Sequence, residues 1–316
     1  MPESLVPRAE PAPADAGVAD VLRLGRDLGA AVLAAAAVPW GDRRSTWRLD
    51  LADGRTLAAQ RVAPPDAERR AARIAVVIAR LAAAGIAVPK PARVVADAGI
   101  AWVITPWIPG TIAAALLESD RAGELARAMG DLSRALAAAD VGDLDLAGPW
   151  DDPGSLREAA NGWLARTATD LGHAGTTELR NAIERTTADR ELAFAASPDG
   201  PGLRHGDFAP INMLLRPDDR LVLVDFEHVR RSFLPVDVAW WAWIVGYHHP
   251  AAWDRVGPTF LAAAASDDSP AARGHLADLA LLQLLERAGE ASAGGRDAER
   301  RRWIERLGAT LSRRPL

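Results

Sequence analysis

Four side chains that lie close together in the sequence could do chemistry jointly. They are His205, Asp207, Asn212 and Asp225, in the runs Leu203-Arg-His-Gly-Asp-Phe-Ala-Pro-Ile-Asn-Met-Leu-Leu215 and Leu221-Val-Leu-Val-Asp-Phe-Glu-His228. Asn212 follows Asp207 by five residues, and Asp225 follows it by eighteen, at the end of an apolar run. A carboxylate on a fixed loop can accept the proton of a hydroxyl and aim its oxygen at a phosphorus in line. A second carboxylate and an amide oxygen are hard ligands suited to Mg²⁺, which offsets the charge of nucleotide phosphates. In phosphoryl transfer Asp207 would be the base, and Asp225 with Asn212 would supply the metal ligands. His205 belongs with the base as the residue that holds backbone near Asp225. Taken singly, each has an ordinary reading: H-x-D pairs are common, and an Asp at a strand end or an Asn in a loop usually makes a turn. The joint order and spacing carry the assignment.

The elements that must position these residues can be read from periodicity and turn signals. Residues 1–17 are rich in Pro and Ala and read as a mobile tail. Asp20 to Val38 has helical apolar spacing and stops at Pro39. Two extended runs on either side of Asp53-Gly54 predict a β-hairpin. A helix is expected over residues 67–84, with Asp66 as N-cap and Gly85 as stop, and then strands over 92–96 and 100–105. Beyond Pro109-Gly110 the pattern turns helical over 111–139, 155–171 and 176–195. A short hairpin, 212–215 with 221–224, interrupts it, and helices follow with breaks at Pro250, 266–270 and Gly294-Gly295. The expectation is an α+β chain with a small lobe over 18–105 and a larger helical lobe over 106–316.

Composition sets the outer bounds. The chain has 316 residues, 49% of them hydrophobic and 25% charged, enough to bury a sizeable core. Cysteine is absent, which excludes disulfides, thiolate metal sites and a Cys nucleophile. The net charge of -5 argues against a nucleic-acid partner. The first residues lack a basic segment leading into an apolar stretch, so no signal peptide is expected. The uncharged run Ile100 to Leu117 contains Pro106 and Pro109, so it reads as a strand and a turn rather than a membrane span. A cytoplasmic protein without membrane contact is expected. Lys90 is the single lysine among 37 basic residues, a bias best explained by GC-rich coding.

The order H-x-D-x-x-x-x-N, followed by an aspartate after an apolar strand, is that of kinase catalytic loops. His205-Gly-Asp-Phe-Ala-Pro-Ile-Asn212 resembles the H-G-D-x-x-x-x-N loop of the aminoglycoside phosphotransferase family. Val224-Asp-Phe-Glu227 resembles that family's metal-binding run, and Leu234-Pro-Val-Asp-Val-Ala239 its P-x-x-D-x-A segment, whose aspartate, here Asp237, braces the loop. The resemblance extends to the linker Leu81 to Pro91 and the hinge Ile104-Thr-Pro-Trp-Ile-Pro-Gly110. It implies a bilobal protein-kinase-like fold with ATP or GTP between a β-rich N-terminal lobe and a helical C-terminal lobe. The purine would meet backbone at Thr105, Trp107 and Ile108. The loop Trp40 to Trp47, with Ser45 and Thr46 as donors, would cover the phosphates.

The chain departs from the family pattern in two places. Arg61 stands where kinases carry the strand lysine that holds the α- and β-phosphates. An arginine there could fork onto phosphate oxygens or could point outward. The partner glutamate is replaced by Ile74, with Glu68 about a turn and a half earlier. Substrate recognition falls to the C-terminal helices. Trp240 and Tyr247 lie near one helical face and would form either core or a wall against the acceptor. Glu227 and Glu286 are candidates to meet amines. The resemblance implies a phosphotransferase acting on a hydroxylated small molecule, an antibiotic first, with resistance as the consequence. The alternatives are a metabolic kinase for a sugar, amino alcohol or nucleoside, and a nucleotide-binding pseudokinase.

Overall fold

The computed structural model describes residues 14–38, 45–62, 66–97, 99–140, 142, 144–146, 148–188 and 201–313. Most of the expected tail, most of the phosphate-covering loop (39–44), Pro64-Pro65 and residues 197–200 lie outside them. The chain divides into two compact units. Met1–Ala82 with Val88–Pro109 form the first, and Ala83–Ala87 with Gly110–Leu316 form the second.

The first unit is built on an antiparallel sheet of order β1-β2-β3-β5-β4. Its strands are β1 (Val32–Ala37), β2 (Thr46–Leu51), β3 (Thr56–Val62), β4 (Arg93–Asp97) and β5 (Ile100–Pro106). Helix α1 (Ala14–Leu28) begins inside the expected tail and buries Val21, Leu24 and Leu28 against Leu49, Leu51, Ala59, Trp102 and Ile104. The helix expected over residues 20–38 is thus a helix followed by a strand. Gly29, at φ 74°, ends α1 in the left-handed conformation that glycine adopts without strain. The apolar run after it is short and has no polar alternation, and such a run is equally compatible with strand. The hairpin at Asp53-Gly54 forms as expected, with Leu49 opposite Leu57 and Gly54 at φ 84°. Helix α2 (Ala67–Ala83) buries Ala71, Ile74, Val77, Ile78 and Leu81, one apolar stripe at helical spacing.

In the second unit, the expected single helix over 111–139 is three elements. These are β6 (Thr111–Ile112), a 3₁₀ turn (Ala113–Leu116) and α3 (Ala122–Ala137). Thr111 pairs with Leu215, so the sheet claims the segment before a helix can start. Helix α4 (Pro153–Ala188) contains a break at Gly172, φ 67° and ψ −177°, inside the gap between the two helices expected there. Two small antiparallel sheets carry the chemistry-bearing segment: β7 (Gly202–Arg204) with β10 (Arg230–Ser232), and β6 with β8 (Met213–Leu215) and β9 (Leu221–Leu223). Helices α5 (Val236–His248), α6 (Pro250–Ala263), α7 (Pro270–Ala293) and α8 (Asp297–Arg313) follow, broken where Pro and Gly predict. α7 is the central member, packed by α4, α5 and α8. Among the described residues no helix is long and apolar enough to cross a membrane. The uncharged run at 100–117 is mostly strand and 3₁₀ turn.

Candidate active site

The loop between β7 and β8 carries His205, Asp207 and Asn212. Its entry is held from a distance. Asp237, at the start of α5, is 1% exposed. Its Oδ2 accepts the His205 N–H at 2.7 Å and its Oδ1 accepts the Gly206 N–H at 2.9 Å. Such charge-assisted bonds satisfy two main-chain donors that the turn leaves without strand partners. Gly206 has φ 75°, and a Cβ there would overlap the His228 carbonyl, so only glycine fits.

His205 is fully buried, with Nε2 2.9 Å from the Val224 carbonyl. A carbonyl only accepts, so Nε2 carries the proton. Burial pushes its pKa below the usual histidine value, which keeps the ring neutral. The ring stands edge-on to Phe226 at 5.1 Å. His205 therefore ties the Asp207 loop to the backbone that precedes Asp225, and Phe226 locks it there.

Asn212 donates from Nδ2 to both the main-chain oxygen and Oδ2 of Asp207, each at 2.9 Å. That turns its amide oxygen away from Asp207. Asp225 sits just past β9 with φ 67°, a left-handed conformation that aspartate tolerates better than most residues. Val224 donates its N–H to the Asn212 carbonyl at 3.0 Å, joining the two candidate ligand segments. One carboxylate, one amide oxygen and a bound nucleotide's phosphates make a donor set of the kind Mg²⁺ accepts. No cluster of three or more His, Asp or Glu with metal-site geometry occurs among the described residues. These residues therefore fit an ion shared with a ligand better than an all-protein cage.

Asp207 itself is held on three sides. Its Oδ1 accepts from Trp240 Nε1 and from Arg287 Nη2, both at 2.8 Å. Its side chain keeps 25% exposure. Burial favours the neutral acid, but the Arg287 charge, the His228 and His205 imidazoles once acid protonates them, and the Asn212 amide together outweigh it and hold the pKa at about 2. Asp207 is a carboxylate at any physiological pH.

The acceptor-side expectations resolve differently. Trp240 is 1% exposed, and its ring packs between Trp243 and Trp303 while its N–H serves Asp207. Trp241 and Trp243 are core. Tyr247 is half-buried, stacked on Trp243 at 5.1 Å. Glu286 receives Arg230 Nη1 at 2.7 and 2.8 Å and Trp150 Nε1 at 3.0 Å, so it is already committed to an internal ion pair. Glu227 lies 3.2 Å from His228 Nε2.

In the first unit, Thr105 is buried opposite Ala58, the Trp107 N–H is taken by the Thr56 carbonyl at 3.0 Å, and Ile108 is half-exposed. Ser45 accepts the Arg61 N–H at 2.7 Å, and Thr46 pairs with Gln60 at the start of β2. Arg61 is exposed and shares a strand face with Leu57 and Ala59, the face that packs under α1, while Gln60 points to the other. Ile74 is buried and Glu68 exposed. Arg287, Trp240's contact with Asp207 and the Arg230–Glu286 pair were not signalled in the sequence. In a chain of 36 arginines and one lysine, an Arg on a helix carries no mark of its partner.

A β-sheet unit and a helical unit, with an H-x-D loop braced by a later aspartate, define a kinase-like phosphotransferase. The chain belongs to the Phosphotransferase enzyme family, which it matches over residues 34–275. Macrolide 2'-phosphotransferase MphH from Brachybacterium faecium is similar in fold, with TM-score 0.61 at 18% identity over 91% of this chain and 97% of that one. The GDP and kanamycin complex of APH(2")-IIia gives TM-score 0.67 at 13% identity, covering 93% of this chain and 98% of that one. Choline kinase LicA from Streptococcus pneumoniae gives 0.60 at 14% identity, covering 93% and 99%. No curated protein matches the chain in sequence.

Proposed function

We propose that the protein transfers the γ-phosphate of ATP or GTP to a hydroxyl of a small molecule, with an antibiotic as the leading substrate class and resistance as the outcome. One observation carries the reading: Asp207 is an ionised, partly exposed carboxylate whose loop is braced by Asp237 and whose neighbour Asn212 faces it with the amide nitrogen, leaving the amide oxygen turned away from it. Asp207 accepts the acceptor's proton as its oxygen attacks phosphorus. Asn212 and Asp225 would hold Mg²⁺, which when bound neutralises the phosphates. His205 and Asp237 keep the loop in register. Segment 105–108 receives the purine, with Ser45 and Thr46 toward the phosphates. Similarity to proteins solved with GDP and kanamycin supports a nucleotide donor and an antibiotic acceptor.

A metabolic kinase is the second reading, favoured by the similarity to a choline kinase. The test is mass spectrometry of antibiotics, amino alcohols, sugars and nucleosides incubated with the protein, Mg²⁺ and ATP or GTP, beside Asp207→Asn. A phosphate-sized mass gain on one compound, absent with the variant, is expected. Retained transfer by Asp207→Asn would sink the mechanism. Nucleotide binding without transfer to any compound would point to a pseudokinase.

A further inference from the structure

The hydrogen-bond inventory of Asp207 says more than that it is a base. A carboxylate oxygen has two lone-pair sites. Oδ1 accepts from both Trp240 Nε1 and Arg287 Nη2 at 2.8 Å, so it is full. Oδ2 accepts one bond, from Asn212 Nδ2 at 2.9 Å, and keeps a lone pair. Arg287 is itself immobilised. Its guanidinium carbon lies 4.4 Å from the Trp240 ring centre and 5.3 Å from that of Trp303, and Nη2 also donates to the Gly206 carbonyl at 3.0 Å. Its side chain is 11% exposed. A cation clamped between two indoles and forked onto a side chain and a main-chain oxygen has little rotamer freedom left.

We propose that Arg287, on α7, is a positioning residue for the transfer reaction: with Trp240 it occupies Oδ1 of Asp207, so that the acceptor hydroxyl docks on Oδ2. The inference rests on the proposed role of Asp207. It adds that the choice of oxygen, and with it the direction from which the hydroxyl approaches, is set by a helix eighty residues further along the chain. The hydroxyl proton goes to Oδ2 as the new O–P bond forms and the bond to the leaving nucleoside diphosphate breaks. Arg287 touches neither reacting atom.

Four full-length proteins test this: wild type, Asp207→Asn, Arg287→Met and the double variant, with Arg287→Lys as the conservative change. The probe is Mg-ATP or Mg-GTP with water as acceptor, read as phosphate release. Arg287→Met should lower kcat about 10- to 100-fold, the scale of a small misplacement of a reacting group, and leave the nucleotide KM within about twofold. Arg287→Lys should recover part of the loss, since an ammonium keeps a donor for Oδ1 but lacks the planar guanidinium that packs on Trp240 and Trp303. In the Asp207→Asn background Arg287→Met should cost much less, because the carboxylate it positions is gone and only its bond to the Gly206 carbonyl is left to lose. An undiminished Arg287→Met kcat, or the same fold-loss in both backgrounds, overturns the inference. Melting temperatures of the same four proteins read the pair without turnover: coupled losses are expected, and additive losses overturn it. Equal phosphate release by wild type and Asp207→Asn would instead count against the proposed reaction, and the melting temperatures would then decide the pair alone.

Discussion

Asp237 acts on the loop that carries Asp207 through main chain alone: one of its oxygens takes the N–H of His205 at 2.7 Å, the other that of Gly206 at 2.9 Å. The carboxylate is buried, so both bonds are made in a low-dielectric setting and neither is replaced by water if it is lost. Asp237→Ala is expected to destabilise the fold by about 3 kcal/mol, the scale of two charge-assisted bonds with buried donors left open. Asp237→Asn keeps one acceptor and should lose less. Urea unfolding of the three proteins checks the order, and phosphate transfer should fall in the same order.

Two groups at the site add to acid sensitivity, beside His249, whose pKa burial also lowers. Burial holds His205 neutral with a lowered pKa, so between that value and the ordinary 6.5 the unfolded chain binds the extra proton. Its contribution is complete above about pH 6.5 and is lost as pH falls below that. Asp207 has its pKa depressed from 3.8 to about 2, so its contribution holds above about pH 4 and fades as pH drops toward 2. Melting temperature should therefore decline in two stages on acidification. His205→Gln, which keeps a donor for the Val224 carbonyl, should shrink the upper stage and leave the part due to His249. Asp207→Asn should shrink the lower one.

Glu286 separates a structural from a substrate role. Its carboxylate is 8% exposed and neutralises Arg230 while accepting from Trp150. Glu286→Gln removes the paired counter-ion of Arg230 and leaves Glu290 and Asp237 as the remaining carboxylates acting on it, so it should cost about 1–3 kcal/mol. A selective rise in acceptor KM with unchanged melting temperature would show instead that Glu286 meets the substrate.

Arg61 tests the phosphate-holding expectation. It shares the α1 face of β3 with Leu57 and Ala59, away from Gln60. Arg61→Ala should change nucleotide affinity by less than about threefold, well under the effect of removing a direct charge–phosphate contact. Equilibrium binding of a fluorescent ATP analogue reads this directly. A tenfold or greater weakening would put Arg61 on the phosphates.

The residues proposed to do chemistry were legible in sequence because they are local. His205, Asp207, Asn212 and Asp225 fall within one turn-and-hairpin segment, where the number of residues between side chains largely sets how the chain can bring them together. The hairpin at Asp53-Gly54 and the helix breaks at Pro250 and Gly294-Gly295 were legible for the same reason: Gly and Pro restrict backbone where they stand. β1 was not, since Val32–Ala37 has no polar alternation, and only pairing with β2 makes it a strand. Thr111–Ile112 likewise became a strand because β8 was there to receive it. Packing of α5 and α7 brings Trp240 and Arg287 onto one oxygen of Asp207. It likewise commits Glu286 to Arg230 and Trp150 and leaves Arg61 on the α1 face. Residue type and short spacing encode which groups can react. Which atom of the base stays open depends on contacts across more than thirty residues, and no local pattern records them.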